Sequence, residues 1–309
     1  MSFPSFPLFR KLLPEDRDAY LTFYHDVEPY SDFSFNNLII WLDLRDDLEA
    51  SQLGQCIILR FSNPFEKGIT SYSILGKHGC LGAVEAVFDL QINLGQEAKL
   101  AIVPECVISN MLSRPDLPQN LVVRANSDHR DYLFDVAEFA TLEGRKFHHL
   151  RRNLRTFHKE YSANVRVGEL DLNTPFAQNH LFTLLAEWRP QMMKNDPLFD
   201  DIKALQRHIK YQQWCPAKCL GFFLDGQIFG FSVYHYPPQK GWAIFNHLKN
   251  SRDIKFSFDF IFYTTLTRLR KEGIAMVNAE QDLGMPGLRM HKTQLGPVDY
   301  LYRYDISRL

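Results

Sequence analysis

Apolar and polar positions along the chain fall into two successive series of short segments. In the first series, QCIILRFS (55–62) and GITSYSILG (68–76) read as paired strands, with apolar and β-branched residues held between turn formers. LGAVEAVFDLQINLG (81–95) reads as a helix closed by Gly95. KLAIVPE (99–105) follows as a strand, CVISNMLSR (106–114) as a helix and NLVVRA (120–125) as a strand, while DYLFDVAEFATL (131–142) is a strand or a joining segment. The second series begins with KCLGFFLDGQIFGFSVYHY (218–236), a hairpin that turns at Asp225-Gly226. GWAIFNHLK (241–249) adds a strand. SRDIKFSFDFIFYTTLTRLRKEG (251–273) has a polar start, an apolar body, cations in its last turn and Gly273 after it, so it predicts a helix. IAMVNAEQ (274–281) is a short strand, GLRMHKTQL (287–295) a short helix before Gly296-Pro297, and YLYRYDI (300–306) an alternating strand.

The two series have a similar order of elements, and hairpin, strand, helix, strand, helix, strand is the layout of the GNAT acyltransferase fold. The expectation is a mixed α/β protein of the α+β class with two tandem GNAT-like domains. Each would be a mixed, mostly antiparallel sheet flanked by helices. A boundary near residues 140–145 divides the chain into 1–142 and 143–309. A length of 309 residues suits two domains, and 45% hydrophobic residues with 25 Phe can fill two cores. No segment approaches the roughly 18 apolar residues of a membrane span. The start, MSFPSFPLFRKLLPEDR, lacks the apolar core and cleavage site of a signal peptide, so a cytoplasmic location is expected. The five cysteines are scattered and odd in number, which suits reduced thiols rather than a disulfide framework. The eleven histidines form no metal-spaced set, so no metal is expected.

Charge is near balance, at -1, which argues against a dedicated nucleic-acid-binding protein. Yet EGRKFHHLRRNLRTFHKEY (143–161) holds six Lys or Arg, three His and two carboxylates. At 100° per residue, Phe147, Leu150, Leu154 and Phe157 share one face of a helix, and Arg145, His148, Arg151, Arg152, Arg155 and Lys159 gather opposite. That cationic face is either a solvated surface balanced by acidic neighbours or a surface for phosphate, in tRNA or a nucleotide-like carrier. Lys146 lies near the apolar edge and either turns toward the domain interface or snorkels.

SDFSFNNLIIW (31–41), LEGRKFHHLRRNLRTFHKEY (142–161), LDGQIFGFSVYH (224–235) and VNAEQDLGMPGLRMHK (277–292) occur in a characteristic order. With them the chain resembles the bacterial protein family related to the C-terminal domain of phosphatidylglycerol lysyltransferase, over about residues 15–308. The resemblance implies tandem GNAT-like domains and transfer of an aminoacyl group from charged tRNA. The lysyltransferases deliver that group to a lipid headgroup, and the related Fem-type enzymes to a peptidoglycan precursor. The lysyltransferases also carry an upstream membrane domain that this sequence lacks, which argues against a lipid acceptor and for a small-molecule or peptide one.

Read on their own chemistry, Asn278, Glu280 and Asp282 sit at i, i+2 and i+4, on one side of a strand that breaks into Leu283-Gly284-Met285-Pro286-Gly287. Such a group can hold an ammonium or accept its proton during acyl transfer, or it can bond local backbone and pair with Arg289 and Lys292. Arg289 and Lys292, one helical turn apart, can grip a phosphate or carboxylate. Asn246 ends the strand before the long helix, where GNAT enzymes keep catalytic or acyl-binding groups. Glu187 and Trp188 end a helix before Pro190, and Asn36, Asn37 and Trp41 are candidates to line a cleft, with Ser31 or Asp32 capping a turn. The donor is therefore expected to be aminoacyl-tRNA, with acetyl-CoA or another acyl-CoA as the alternative. CoA-using GNAT proteins place a Gly-rich turn before the central helix, whereas HLKNSRDIKFS (247–257) has no glycine; Gly76, Gly79 and Gly82 are a looser match in the first half.

Overall fold

The computed structural model describes residues 2–41, 47–62, 68–115, 117–195 and 201–309. The chain forms two compact units that are discontinuous in sequence. Unit one takes the chain up to Asp131, then Gln281–Gly284 and Tyr300–Leu309; unit two takes Tyr132–Glu280 and Met285–Asp299.

Unit one opens with β1 (Arg10–Lys11), α1 (Arg17–Tyr24) and α2 (Phe35–Ile40). An antiparallel meander follows, of β2 (Glu49–Leu53), β3 (Cys56–Ser62) and β4 (Thr70–Leu75), and gives a four-stranded sheet in the order β1-β2-β3-β4. Next come α3 (Cys80–Asn93), β5 (Lys99–Pro104), α4 (Glu105–Leu112) and the long β6 (Leu121–Asp135). The apolar faces of α3 and α4 supply Val84, Phe88, Val107 and Met111 to one core with Ile58, Ile74 and Val103.

Unit two begins with the last residues of β6. The segment at 131–142 is strand as far as Asp135 and then turns into α5 (Val136–Thr141), because the Asp135 carboxylate accepts the Ala137 N–H at 2.7 Å and caps the helix. After it come α6 (His148–Tyr161), β7 (Val165–Glu169), α7 (Pro175–Asn195) and α8 (Asp201–Lys210). The expected helix end before Pro190 is corrected: α7 continues to Asn195. Proline removes one N–H donor from a helix without necessarily ending it. The hairpin β8 (Lys218–Leu224) and β9 (Gln227–His235) leads to β10 (Trp242–Asn250), α9 (Ser257–Lys271), β11 (Met276–Asn278) and α10 (Pro286–Gln294). The last strand, β12 (Asp299–Arg308), returns to unit one, where Ile306 enters the core and β12 pairs antiparallel with β5.

In unit two, β7, β8, β9 and β10 pair antiparallel, and the α9 crossover brings β11 back parallel to β10. An antiparallel meander, a crossover helix and a parallel strand are the GNAT order, and the end of β6 completes the sheet against β11. Packing fixes both faces. Gly230 on β9 lets α9 approach closely, since a Cβ there would lie 2.1 Å from Ile261 Cδ1. On α9, Phe262 meets Phe245 of β10 edge-on at 5.8 Å between ring centroids. A second cluster joins Leu181, Leu184 and Leu205 of α7 and α8 to Phe231 and Val233 of β9.

Two details of this sheet position the site. First, β10 and β11 pair at only three positions, the last being Ile244 with Asn278. Second, the register of β10 against β9 shifts between Phe245 and His247, so Asn246 is an inserted, bulged residue. The expectation that Asn246 ends its strand is thus corrected: β10 runs on to Asn250.

Candidate functional site

The basic segment folds as its periodicity requires. Phe147, Leu150, Leu154 and Phe157 are buried. Phe157 stacks on Phe260 of α9 at 4.2 Å, and the Asn153 amide donates to Asp259 at 2.7 Å, so α6 is anchored on α9. The cations then divide into two groups. Arg151 is half-buried and donates through one terminal nitrogen to the carbonyls of Leu142 and, at 2.9 Å, Gly144. Lys146 pairs with Glu138, and its aliphatic stem covers Gly296. Arg145, Arg152, Arg155 and Lys159 are exposed, and none of them has a carboxylate partner among the described residues. Gly144, Arg145, His148 and Arg151 line a cavity of about 480 Å³ where the chain enters α6.

A second polar group lies on the sheet of unit two. Asn246 is buried, and its Oδ1 faces Nδ1 of His235 at 2.8 Å. The neighbouring His247 places Nδ1 3.1 Å from Asp201 Oδ1, and the other oxygen of Asp201 accepts from Lys249 Nζ at 2.9 Å. Burial opposes the Asp201 charge, but Lys249 and His247 outweigh it and hold the carboxyl well below the usual range. His208 of α8 is fully buried, with its ring 5.9 Å from that of His247. Neither His208 nitrogen has a hydrogen-bond partner among the described residues. Burial pushes the His208 pKa well below the ordinary value, and His247 and His235 push it the same way. Burial also pushes His235 down, to about 4, partly offset by the Asn246 bond. Sequence reasoning found Asn246 and missed its neighbours. The signal was an Asn-His pair interrupting the apolar run of a central strand, and α8 supplies the rest from residues too distant to pair by pattern.

The structure brings together Asn278, Glu280 and Lys292. Asn278 is buried at the end of β11, and its Oδ1 accepts the Glu280 N–H at 2.8 Å. Glu280 adopts the left-handed region, at φ 58°. The expected strand through residue 281 is therefore corrected: it ends at Asn278, because the asparagine side chain captures the N–H that would have continued the ladder. Lys292 Nζ donates to the Ala279 carbonyl at 2.6 Å and lies 5.6 Å from the centre of the Tyr132 ring. Arg289 sits half-buried one turn earlier on α10. Glu187 is exposed on α7, and the Trp188 side chain lies outside the described residues.

Asp282 belongs to unit one, where it is buried and its Oδ1 accepts the Gly284 N–H at 2.9 Å. The preceding Gln281 donates to Ser31 Oγ at 2.8 Å and Asp32 Oδ2 at 2.9 Å. Those two residues belong to a buried ionic network in unit one. Arg303 lies 2.8 Å from Asp131 and 2.7 Å from Asp32, and the Ser31 N–H and hydroxyl both donate to Asp131. Burial opposes the Arg303 charge, but Asp131 and Asp32 outweigh it and raise the pKa of the guanidinium. Asn37 is buried within α2, and its carbonyl accepts the Trp41 N–H at 3.1 Å, which leaves Trp41 half-buried at the helix end. Of the first-half glycines, Gly76 lies against Cys56, where a Cβ would meet Sγ at 2.8 Å, and Gly79 starts α3 at φ 72°. The Cys80 N–H beside them donates to Asn110 at 3.3 Å. Among the described residues, no group of three His, Cys, Asp or Glu could hold a metal ion, and no helix is long and apolar enough to cross a membrane.

The sequence signature described as phosphatidylglycerol lysyltransferase, C-terminal, matches residues 109–306. No curated protein sequence matches the chain. Among solved structures, a conserved protein of unknown function from Bacteroides thetaiotaomicron is similar with a TM-score of 0.83 at 20% identity, covering 97% of this chain and 99% of that one. L-PGS from Bacillus licheniformis is similar with a TM-score of 0.62 at 16% identity, covering 96% of this chain and 92% of that one. At these identities the likeness is one of fold.

Proposed function

The chain belongs to the phosphatidylglycerol lysyltransferase C-terminal family, and on that premise we propose that it is an acyltransferase that takes an aminoacyl group from charged tRNA. The group goes to an amine or hydroxyl of a small-molecule or peptide acceptor. One observation carries the donor: among the described residues, the exposed cations of α6 have no carboxylates to neutralise them. A merely solvated face in a chain of net charge -1 would be expected to find acidic neighbours. Uncompensated Arg and Lys beside a firmly packed apolar stripe suit a surface that meets phosphate.

The acceptor chemistry is assigned to the end of β11. The acceptor nitrogen or oxygen attacks the ester carbon of the aminoacyl group. The new bond to that carbon forms, the bond to the ribose oxygen breaks, and the ribose hydroxyl leaves with a proton. Glu280 orients the acceptor, takes its proton and passes that proton to the departing ribose oxygen. Lys292, with Arg289 one turn away, supplies positive charge for the developing oxyanion. Asn246 lines the acyl group beside the bulge. The Asp282 carboxylate holds the loop through Gly284.

The test is binding of charged and uncharged tRNA across a salt series. The expected result is a steep loss of affinity with salt and a preference for the charged form. Reversing two cations, in Arg152→Glu with Arg155→Glu, should flatten the slope of log affinity against log salt by about 1.5. No binding at low salt overturns the donor assignment, and a titration with acetyl-CoA then decides whether a CoA thioester takes its place.

A further inference from the structure

We propose that the cavity at the start of α6 is a site for a phosphate monoester, separate from the open face that follows it. The proposal rests on the donor reading above for the identity of the carrier, but not for the phosphate chemistry. The cavity has about 480 Å³ and is lined by Gly144, Arg145, His148 and Arg151. That volume lies within the range of small-ligand pockets and exceeds what one ion needs. Among the described residues the lining holds two arginines and a histidine and no carboxylate, so an anion is attracted there and a cation is repelled.

The two arginines differ in a way that suits a bound anion. Arg151 is already held, since one terminal nitrogen gives both its hydrogens to the backbone carbonyls of Leu142 and Gly144. A guanidinium has five N–H donors, so three stay available on a side chain whose freedom is already restricted. Arg145 is exposed and has no partner among the described residues, so it is able to fold over an incoming group. His148 adds a ring nitrogen that can donate. Two guanidinium charges and an imidazole match the double charge and three terminal oxygens of a monoester better than the single charge of a backbone diester. Arg152 and Arg155 do not line the cavity and are left to meet backbone phosphates. A tRNA carries one such monoester, at its 5′ end, paired beside the 3′ end that bears the amino acid. Coenzyme A carries one on its 3′ ribose position.

The experiment compares matched pairs of probes on the full chain by titration: tRNA with and without its 5′-phosphate, and coenzyme A against dephospho-coenzyme A. Removal of the monoester should weaken one pair about tenfold, and the pair affected identifies the source. Arg145→Gln and His148→Gln should each bring that ratio near one. Arg155→Gln should weaken tRNA overall and keep the ratio. If tRNA binds equally well without its 5′-phosphate and coenzyme A also shows no difference, the pocket assignment is overturned while the donor reading stands. If neither carrier binds, the donor reading fails, and inorganic phosphate tests the pocket alone. Binding that Arg145→Gln abolishes upholds the site, and no binding overturns it.

Discussion

Replacing Asp131 with alanine tests whether unit one depends on its buried ionic network. Asp131 is fully buried and accepts hydrogen bonds from the Ser31 N–H at 2.8 Å, the Ser31 hydroxyl at 2.7 Å and Arg303 at 2.8 Å. The substitution leaves Arg303, itself fully buried, with Asp32 as its remaining carboxylate. It also orphans two Ser31 donors. Removing one partner of a buried pair costs about 3–5 kcal/mol, because the other charge stays desolvated. For a unit of this size that is a fall in melting temperature of roughly 10 °C. Differential scanning calorimetry and urea unfolding measure it. Arg303→Met combined with Asp131→Ala removes both charges, so the double variant should be less destabilised than the sum of the single ones. A loss below about 1 kcal/mol for Asp131→Ala would refute the reasoning, and so would strict additivity in the double variant.

Other outcomes follow from the same structure. His208→Leu should raise the urea midpoint, because it removes two buried nitrogens without partners, each costing about 1–3 kcal/mol; a fall would show that the imidazole supports the fold. Stability should also fall on acidification from about pH 6.5 toward 4. His208 and His235 stay neutral when folded, so the unfolded chain binds more protons across that window, and for His235 the loss ends near its folded pKa of about 4. Urea midpoints across that range check the sign, and a flat profile contradicts it. Glu280→Gln should lower the transfer rate tenfold or more and leave tRNA affinity unchanged, in a single-turnover assay with charged tRNA. Lys292→Met removes a charge-assisted bond to the Ala279 carbonyl and should lower the same rate to a similar degree.

Much of the fold could be read from local pattern, because each element carries its own signal. The β8–β9 turn announces itself through Asp225-Gly226, and both are at positive φ. The turn that leads into α6 follows Gly144, and the buried residues of the turn and helix are the four that the helical wheel selects. The failures have local causes too. Pro190 reads as a stop, yet α7 runs through it, and Asn278 reads as part of a longer strand until its side chain takes the Glu280 N–H. The return of β12 to unit one has no local signal. Ile306 looks like any alternating strand residue, and its partners in the core lie some 200 or more positions earlier.

The same distinction divides the candidate sites. The α6 cations were legible because a helix writes its faces at a fixed period, so a count of charge on one face is already a statement about a surface. What sequence could not decide was whether carboxylates balance that face. Ion pairs are set by tertiary neighbours, and among the described residues only Lys146, with Glu138, finds one in the segment. The buried polar groups show the opposite case. Asp201, His208, His235 and His247 lie on three elements, and Asp131 and Arg303 are 172 positions apart. Each reads singly as an ordinary polar residue in an amphipathic element. Their meaning lies in being buried together, where an imidazole without a partner or a guanidinium between two carboxylates must be compensated. A sequence pattern records which residues are polar, whereas burial decides which of them must have partners, and that requirement turns Asn246 from a strand residue into one member of a buried polar group.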